Sequence, residues 1–473
     1  MSAPFAENIP GIANNSEANY APENFNWPLA YEAENFLREQ IAAFLGQNKC
    51  ATELTARMQN ETGTDFFEWI DHLVLSPSDE NALRKAGFEN DNVESLNGDV
   101  VLRHPRATLP RVLLRPGDQR KPSVIALRPE FIADFLHAHH LSAAPEGEPF
   151  SRYRRVLISE ENGTRLEAVE RRAYLGYLPA PLKSDELRNI VKAKELWRTR
   201  TRQFANAAEG FVLANKILDE SLKLVGRDLS CEFYFAEERA YWENRNRAAR
   251  IQKRRQDSLG LGWGNHDHHT FRSSREHFVD LMAFFSRLGM EKRERYYAGS
   301  EAGWGAQISE QPVVGIVVFA DVDLMPEETQ IDFSSVRLAS APTLGTVGLW
   351  IGLHGESFLD AGMHHLEARF DFSLLRDQMK EQGVNTMTPF SDFEFLRQAF
   401  TEGERWQVSR ERAEKILQGK LITPEQFDQF LREGAIGSHL ENLQRHGGFK
   451  GFNQKSVSVI IAQTDPRKQH FGA

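Results

Sequence analysis

The chain is poor in thiols: its 473 residues include two cysteines, Cys50 and Cys231. Two cysteines so far apart exclude a disulfide framework and match neither of the paired spacings that hold structural zinc. A reducing, cytoplasmic location is the expectation. Long apolar runs are also missing. The longest, VVGIVVFA at 313–320, has strand length and falls short of the roughly 18 apolar residues of a membrane span. Nor is there an excess of positive charge, since 57 Lys and Arg face 67 Asp and Glu for a net charge of −10. That balance disfavours a protein whose main task is to neutralise nucleic-acid phosphate, so neither a nucleic-acid nor a membrane partner is expected. The opening MSAPFAENIPGIANNSEANYAPEN has no periodicity and no basic-then-apolar signal pattern, and reads as a flexible leader over 1–25.

Histidine is what the chain has in quantity. There are 15, several of them clustered in HAHHLS, HDHHTF and MHHLEA. Clusters of imidazoles mark candidate metal sites, and their value depends on which elements carry them.

The spacing in LAYEAENFLREQIAAFL is helical, and the helical reading runs from Trp27 to about Leu75. VVLRH, RVLLR and SVIAL are strand-like, and YRRVLISEENGTRLEAVERRAYL reads as a hairpin turning at Glu161-Asn162-Gly163, so an α+β N-terminal domain is expected over 26–180. A helical connector follows over 181–260. It starts at Ser184-Asp185-Glu186, stops at Gly226, and resumes as AEERAYWENRNRAARIQKRRQDSLG up to Gly260. The basic run between Arg245 and Arg255 reads as a solvated helix face rather than a nucleic-acid arm.

After Gly260 comes strand-like HHTFR, a helix REHFVDLMAFFSRLG, and the strands KRERYYA, WGAQISE and VVGIVVFADV. The order then recurs: MHHLEARF, a helix SLLRDQMKEQG, helical inserted material from about Phe393 to Gly434, and a last strand IGSHLENLQR. Two strand-helix-strand-strand-strand units make paired modules rather than a solenoid, and residues 261–473 are where the chemistry is expected.

Strand alternation puts His266, His268, Thr270 and Arg272 on one face, with His269 and Phe271 on the other. In the second module His365, Glu367 and Arg369 share a face and repeat the His-x-x-x-Arg spacing. Glu441 and Arg445 repeat it again with a carboxylate in place of the imidazole. Two imidazoles and one carboxylate on one side of an ion form the triad that leaves iron(II) open to substrate and oxygen. Spacing does not choose the carboxylate among Glu301, Glu310, Asp321, Asp323, Glu356 and Glu367. His354, His364 and His439 read as structural, and HAHHLS as a polar helix cap. Gly260, Gly262 and Gly264 run from helix to strand, the reverse of a phosphate loop. Arg272 is the first candidate for gripping an acidic substrate. Arg369 is the second, set against a structural role.

On these residues the C-terminal region resembles the 2-oxoadipate dioxygenase/decarboxylase (hydroxyglutarate synthase) family, distant members of the vicinal-oxygen-chelate superfamily of paired βαβββ modules. Asp267, His268, Phe271 and Arg272 match its Asp-His-x-x-Phe-Arg strand. GIVVFADVDLMP matches an apolar strand with a trailing acidic residue and proline. SHLENLQR supplies Glu441 and Arg445 of a Tyr-x-Glu-x-x-x-Arg strand, with His439 in the tyrosine's place, and GFKGFNQKSVSVIIAQTD resembles the closing segment. Met363-His364-His365-Leu366-Glu367 departs from the family's Asn-His-hydrophobic-Thr, which keeps Glu367 as a rival ligand.

The resemblance implies an α+β fold whose C-terminal part is a vicinal-oxygen-chelate-like metal domain. The implied ligands are His268, His365 and Glu441, the implied ion is iron(II) or another divalent metal, and Arg272 would hold an acidic substrate. It further implies oxidative decarboxylation of a 2-oxo acid by O2, which for 2-oxoadipate gives 2-hydroxyglutarate. A divalent-metal lyase or isomerase on the same scaffold, or a non-catalytic metal- or ligand-binding protein, are the alternatives.

Overall fold

The structure is a computed structural model that describes residues 27–95, 98–117, 122–299 and 302–453. The leader over 1–25, Glu301 and the closing segment beyond Asn453 lie outside the described residues.

The N-terminal part begins with helices α1 (Tyr31–Leu45) and α2 (Lys49–Arg57) and continues with β1 (Ile70–Leu75), α3 (Glu80–Lys85), β2 (Glu89–Asn90), β3 (Val100–Arg103), β4 (Arg111–Leu114) and β5 (Val124–Leu127). It ends with α4 (Ile132–Ala138), β6 (Tyr153–Glu161) and β7 (Thr164–Arg171), and its strands form one sheet in the order β2-β3-β4-β1-β5-β7-β6. The helical reading up to Leu75 fails at Ile70, where IDHLVL is a central strand between β4 and β5. A short apolar run does not separate buried strand from buried helix by periodicity, and pairing decided it. The β6–β7 hairpin turns where expected. Asn162 (φ 48°) and Gly163 (φ 79°) both take the left-handed conformation that a two-residue turn requires.

Helices α5 (Ser184–Arg198), α6 (Ala207–Asn244) and α7 (Arg247–Asp257) follow. The single helix read over 184–226 is broken between Arg198 and Ala207, where Asn206 caps α6 by accepting from the Ala208 N–H. Gly226 does interrupt the helix (φ 77°, ψ −179°), but a second helical segment begins at once, so α6 is two helices across a kink. Asn246 likewise caps α7 by accepting from Ala249 N–H. Three arginines of the basic run are engaged: Arg245 reaches the carbonyls of Asp360 and Ala361, Arg247 those of Gln382 and Gly383, and Arg255 that of Glu61.

The C-terminal part consists of β8 (His266–Arg272), α8 (Phe278–Arg287), β9 (Glu291–Tyr297), β10 (Trp304–Gln311), β11 (Ile316–Asp323) and α9 (Thr346–His354), then β12 (His365–Arg369) and α10 (Phe372–Glu381). Strands β13 (Ser391–Phe393), β14 (Leu396–Phe400) and β15 (Glu404–Trp406) come next, followed by α11 (Arg410–Gln418), α12 (Pro424–Glu433) and β16 (Ala435–Arg445). The main path of the sheet is β13-β14-β16-β12-β8-β11-β10-β9. Each half repeats one topology. The first strand pairs in parallel with the last (β8 with β11, β12 with β16), the remaining pairs within each half are antiparallel, and the halves join antiparallel through β8 and β12. This is the α+β, paired βαβββ, vicinal-oxygen-chelate-like fold. The helical insertion is shorter than expected, because residues 391–406 supply β13, β14 and β15 and only α11 and α12 are inserted.

One face of this sheet packs on helices. Phe271 of β8, fully buried, meets Phe235 of α6 and Phe285 of α8 with ring centroids 6.0 and 5.3 Å away. Removing such a ring costs about 3–5 kcal/mol. The other face encloses the candidate site.

Candidate metal centre

A pocket receives side chains from strands across the sheet, Tyr296 of β9 and Trp304 of β10 at one side and Gln398 and Phe400 of β14 at the other. Both ends of the sheet therefore curl around one space. His268, Thr270 and Arg272 enter it from β8, Phe319 and Asp321 from β11, His365 and Glu367 from β12, and Glu441 from β16.

The structure brings the proposed ligands together. One ligand atom each from buried His268, His365 and Glu441 lies within 4.8 Å of the others, and a second group links Asp267, His268 and Glu367. His365 Nε2 is 3.1 Å from Glu441 Oε2, and His268 Nε2 contacts Glu367 Oε2. Glu367 and Glu441 are register partners of the parallel β12–β16 pair, which is why both carboxylates face the pocket side by side. Gln398 Nε2 donates to both, at 2.6 and 3.0 Å.

Three other carboxylates that spacing left open are committed elsewhere, whereas Asp321 lines the pocket. Asp323 caps α9 by accepting from Gly345 N–H (2.7 Å) and Val347 N–H (3.0 Å), Glu310 pairs with Lys450 (2.8 Å), and Glu356 accepts from Ser274 N–H (3.2 Å). His354, His364 and His439 each use one ring nitrogen on a backbone carbonyl, of Ile436, Gly437 and Thr401.

His266 does not share the face of His268. Between the β8–β12 pairs Leu366–His269 and Ala368–His266, β8 carries one residue more than its partner, which is a β-bulge. The bulge turns His266 to the far side, where its ring lies 5.3 Å from that of His269. It also leaves Asp267 beside His268, with Oδ1 3.2 Å from His268 Nδ1. The same carboxylate accepts from Arg445 Nη2 (3.0 Å) and Nε (3.3 Å) and ion-pairs with Arg369 (3.3 Å). A carboxylate on the distal nitrogen fixes a ligating imidazole's tautomer and ring angle. Arg369 thus sits outside the pocket, between Asp267 and Glu68 (3.5 Å), and lines a different cavity.

Burial governs the charges. It pushes His268 down to about 3, against the pull of Asp267, and His365 well below the ordinary range, which favours the neutral imidazole that a metal requires; His365 Nε2 also lies 2.8 Å from the Thr270 hydroxyl. Burial likewise raises Glu441 well above the ordinary carboxylate range, only partly opposed by the Gln398 hydrogen bond. Two neutral imidazoles beside a carboxyl that lacks a cation form a donor set that fits a divalent ion, which would favour the ionised carboxylate. Arg272 lies 3.7 Å from Asp321 and 5.5 Å from the Trp350 ring, and burial outweighs Arg272 to raise Asp321 to about 7.

Alternation and spacing assign no role to Asp267, Gln398 or the aromatic wall of Tyr296, Trp304, Phe319, Phe390, Phe400 and Phe452. Asp267 stands next to a proposed ligand, which was the available signal. For Gln398 and Phe452 there was none. The N-terminal part contributes through Phe452, whose ring is 4.8 Å from that of His268. The segment leading to it is fastened by Ala30 N–H to Gly447 O (2.7 Å), Thr108 N–H to Gly448 O (2.8 Å) and Gly448 N–H to Glu34 (2.9 Å).

No family model matches the chain, and no curated protein matches it. Among solved structures it is similar to a mutant 4-hydroxymandelate synthase from Streptomyces coelicolor (13% identity, 85% of this chain and 99% of that one, TM-score 0.28). It is also similar to methylmalonyl-CoA epimerase from Mycobacterium tuberculosis (14% identity, 38% and 88%, TM-score 0.22). A third is a xylose isomerase-like TIM barrel/4-hydroxyphenylpyruvate dioxygenase fusion protein (10% identity, 88% and 56%, TM-score 0.22).

Proposed function

We propose that the chain is a non-heme iron(II) dioxygenase that decarboxylates a 2-oxo acid, with His268, His365 and Glu441 as the metal ligands. The observation that carries the reading is the convergence of these three buried groups in an aromatic-walled pocket with Arg272 on the same strand as His268. Bound there, iron(II) would supply the redox chemistry with O2 and a Lewis-acidic place for the substrate's carboxylate and keto oxygens. The chain's residues do the rest. Arg272 holds the acid group remote from the metal, as a planar guanidinium suits a carboxylate. Asp267 orients His268, Gln398 spaces the two glutamates, and the aromatic rings exclude water from the reacting centre. A 2-oxo dicarboxylate such as 2-oxoadipate has both its anionic ends accounted for. O2 is the one oxidant required, because a 2-oxo acid and O2 balance to CO2 and the 2-hydroxy acid shorter by one carbon. The partners are then a small acidic substrate and O2.

Glu367 favours a second reading. If it ligates together with Glu441, the two-imidazole, two-carboxylate set leaves too few open positions for a chelating substrate and O2, and a divalent-metal lyase or isomerase follows. The test is anaerobic reconstitution with iron(II), followed by oxygen uptake and product mass with a panel of 2-oxo acids. Oxygen consumed with CO2 and a shortened 2-hydroxy acid supports the dioxygenase. Turnover without oxygen, restored by zinc or magnesium, supports the second reading.

A further inference from the structure

On the opposite face of the metal-pocket sheet, where His266 points, a second cavity lies between the N-terminal sheet, the helical layer and β8. Its walls carry Arg128, Arg171, Arg172, Lys194 and Arg239 against two carboxylates, Glu130 and Glu232. In a chain of net charge −10 that is a local inversion of sign. Three of the five cations have protein partners. Arg171 is paired with Asp71 (2.6 Å), Arg172 with Glu170, and Arg239 reaches His269 Nε2 (3.2 Å) and, more loosely, Glu130 (3.9 Å).

Arg128 and Lys194 are different. Among the described residues neither side chain has an ion-pair or hydrogen-bond partner, and only longer-range charges act on them. Burial lowers the pKa of both part-buried cations, opposed only in part by the more distant carboxylates of Asp71 and Glu232 on Arg128 and of Glu237, Glu232 and Glu170 on Lys194. Around them Arg172 Nε, Arg239 Nε and His266 Nδ1 are buried nitrogens without a partner. Such groups are rare inside proteins unless something pairs with them, since each unsatisfied buried donor costs about 1–3 kcal/mol. Phe131 and Phe233 supply apolar wall, with Lys194 5.8 Å above the Phe233 ring.

We propose that this cavity is a second ligand site, taking a small organic dianion whose acidic groups meet Arg128 and Lys194 and whose carbon skeleton lies against Phe131 and Phe233. Carboxylate and phosphate share the required chemistry: negative charge and several acceptor oxygens for guanidinium and ammonium donors. The site is separate from the metal pocket, because the two lie on opposite faces of one sheet and share no lining residue.

The test is calorimetric titration of the full chain with succinate and, separately, glycerol 3-phosphate, in buffer of constant ionic strength. One saturable site is the expected result for at least one probe, and the probe that saturates identifies the acid group. Arg128→Gln and Lys194→Gln should each weaken it about tenfold or more, with the unfolding midpoint and circular dichroism retained in at least Lys194→Gln. Arg272→Met, in the metal pocket, should leave it intact. Two results overturn the proposal: no saturable binding of either probe, or binding abolished by Arg272→Met and untouched by Arg128→Gln and Lys194→Gln.

Discussion

Replacing Asp267 by Asn tests the metal-centre geometry through a residue that need not touch the ion. Asp267 Oδ1 faces His268 Nδ1 (3.2 Å) and Arg445 Nη2 (3.0 Å), while Oδ2 faces Arg445 Nε (3.3 Å) and Arg369 Nε (3.3 Å). Burial alone would raise its pKa, but Arg445 and Arg369 outweigh burial and hold the group well below the ordinary carboxylate range. An Asn can keep one acceptor but must turn an NH2 donor toward other donors, either on His268 or on the arginines. Loss of a carboxylate behind a ligating imidazole lowers metal affinity about 10–100-fold, or about 1.4–2.7 kcal/mol. Separately, Arg445 is 6% exposed and loses its counter-charge, and breaking a buried pair costs up to about 3–5 kcal/mol of folding stability. Iron(II) competition against a chromophoric chelator reads the first effect, and urea unfolding of metal-free protein reads the second. Arg445→Met separates them: stability should fall while Asp267 still orients His268 and most metal affinity survives. An Asp267→Asn protein that is folded and binds iron(II) as tightly as the parent would refute the orienting role.

Gln398→Leu should weaken metal binding by about tenfold, because the donor that spaces Glu367 and Glu441 is gone, and it should alter the preference among divalent ions; isothermal titration with iron(II), manganese and zinc checks it. Glu34 makes an acid-stability prediction. Burial would raise it, but His446, Arg38 and the Gly448 N–H lower it from 4.5 to about 2. A depressed carboxyl contributes stability above its unfolded pKa and loses it as pH falls through the folded one, so about 3 kcal/mol should disappear between pH 4.5 and 2. Urea midpoints against pH should show Glu34→Gln flattening that acid limb. Gly226→Ala has open space around the new methyl group but a backbone (φ 77°, ψ −179°) that other residues avoid, so it should cost about 1–3 kcal/mol by thermal unfolding while leaving metal affinity unchanged.

Much of the C-terminal fold was legible. β8 through β12 and α8 and α10 stand where strand-like runs and helical spacing put them. What failed failed locally. IDHLVL and FEFLRQAF are apolar runs too short to declare a period, and the first became a central strand, the second β14 with its turn. His266 was placed on the wrong face because a one-residue bulge cancels strict alternation and has no compositional mark. The glycines of GLGWGN, read only as an unsuitable phosphate loop, have a packing reason instead: a Cβ on Gly260 would come 2.4 Å from the Phe135 backbone.

The sequence by itself determined the repeat of the βαβββ unit and the candidates His268, His365 and Glu441, because periodicity and residue type are local properties. Only the tertiary structure decided which groups meet. Parallel pairing of β12 with β16 put Glu367 beside Glu441, the bulge put Asp267 behind His268, and strand pairing directed Arg369 away from the pocket toward Glu68. The curl of one sheet brought Tyr296 and Phe400 to the same space, and α1 together with Thr108 fastened the segment that carries Phe452. Those contacts join residues up to 414 positions apart in the chain, a distance that no spacing rule spans.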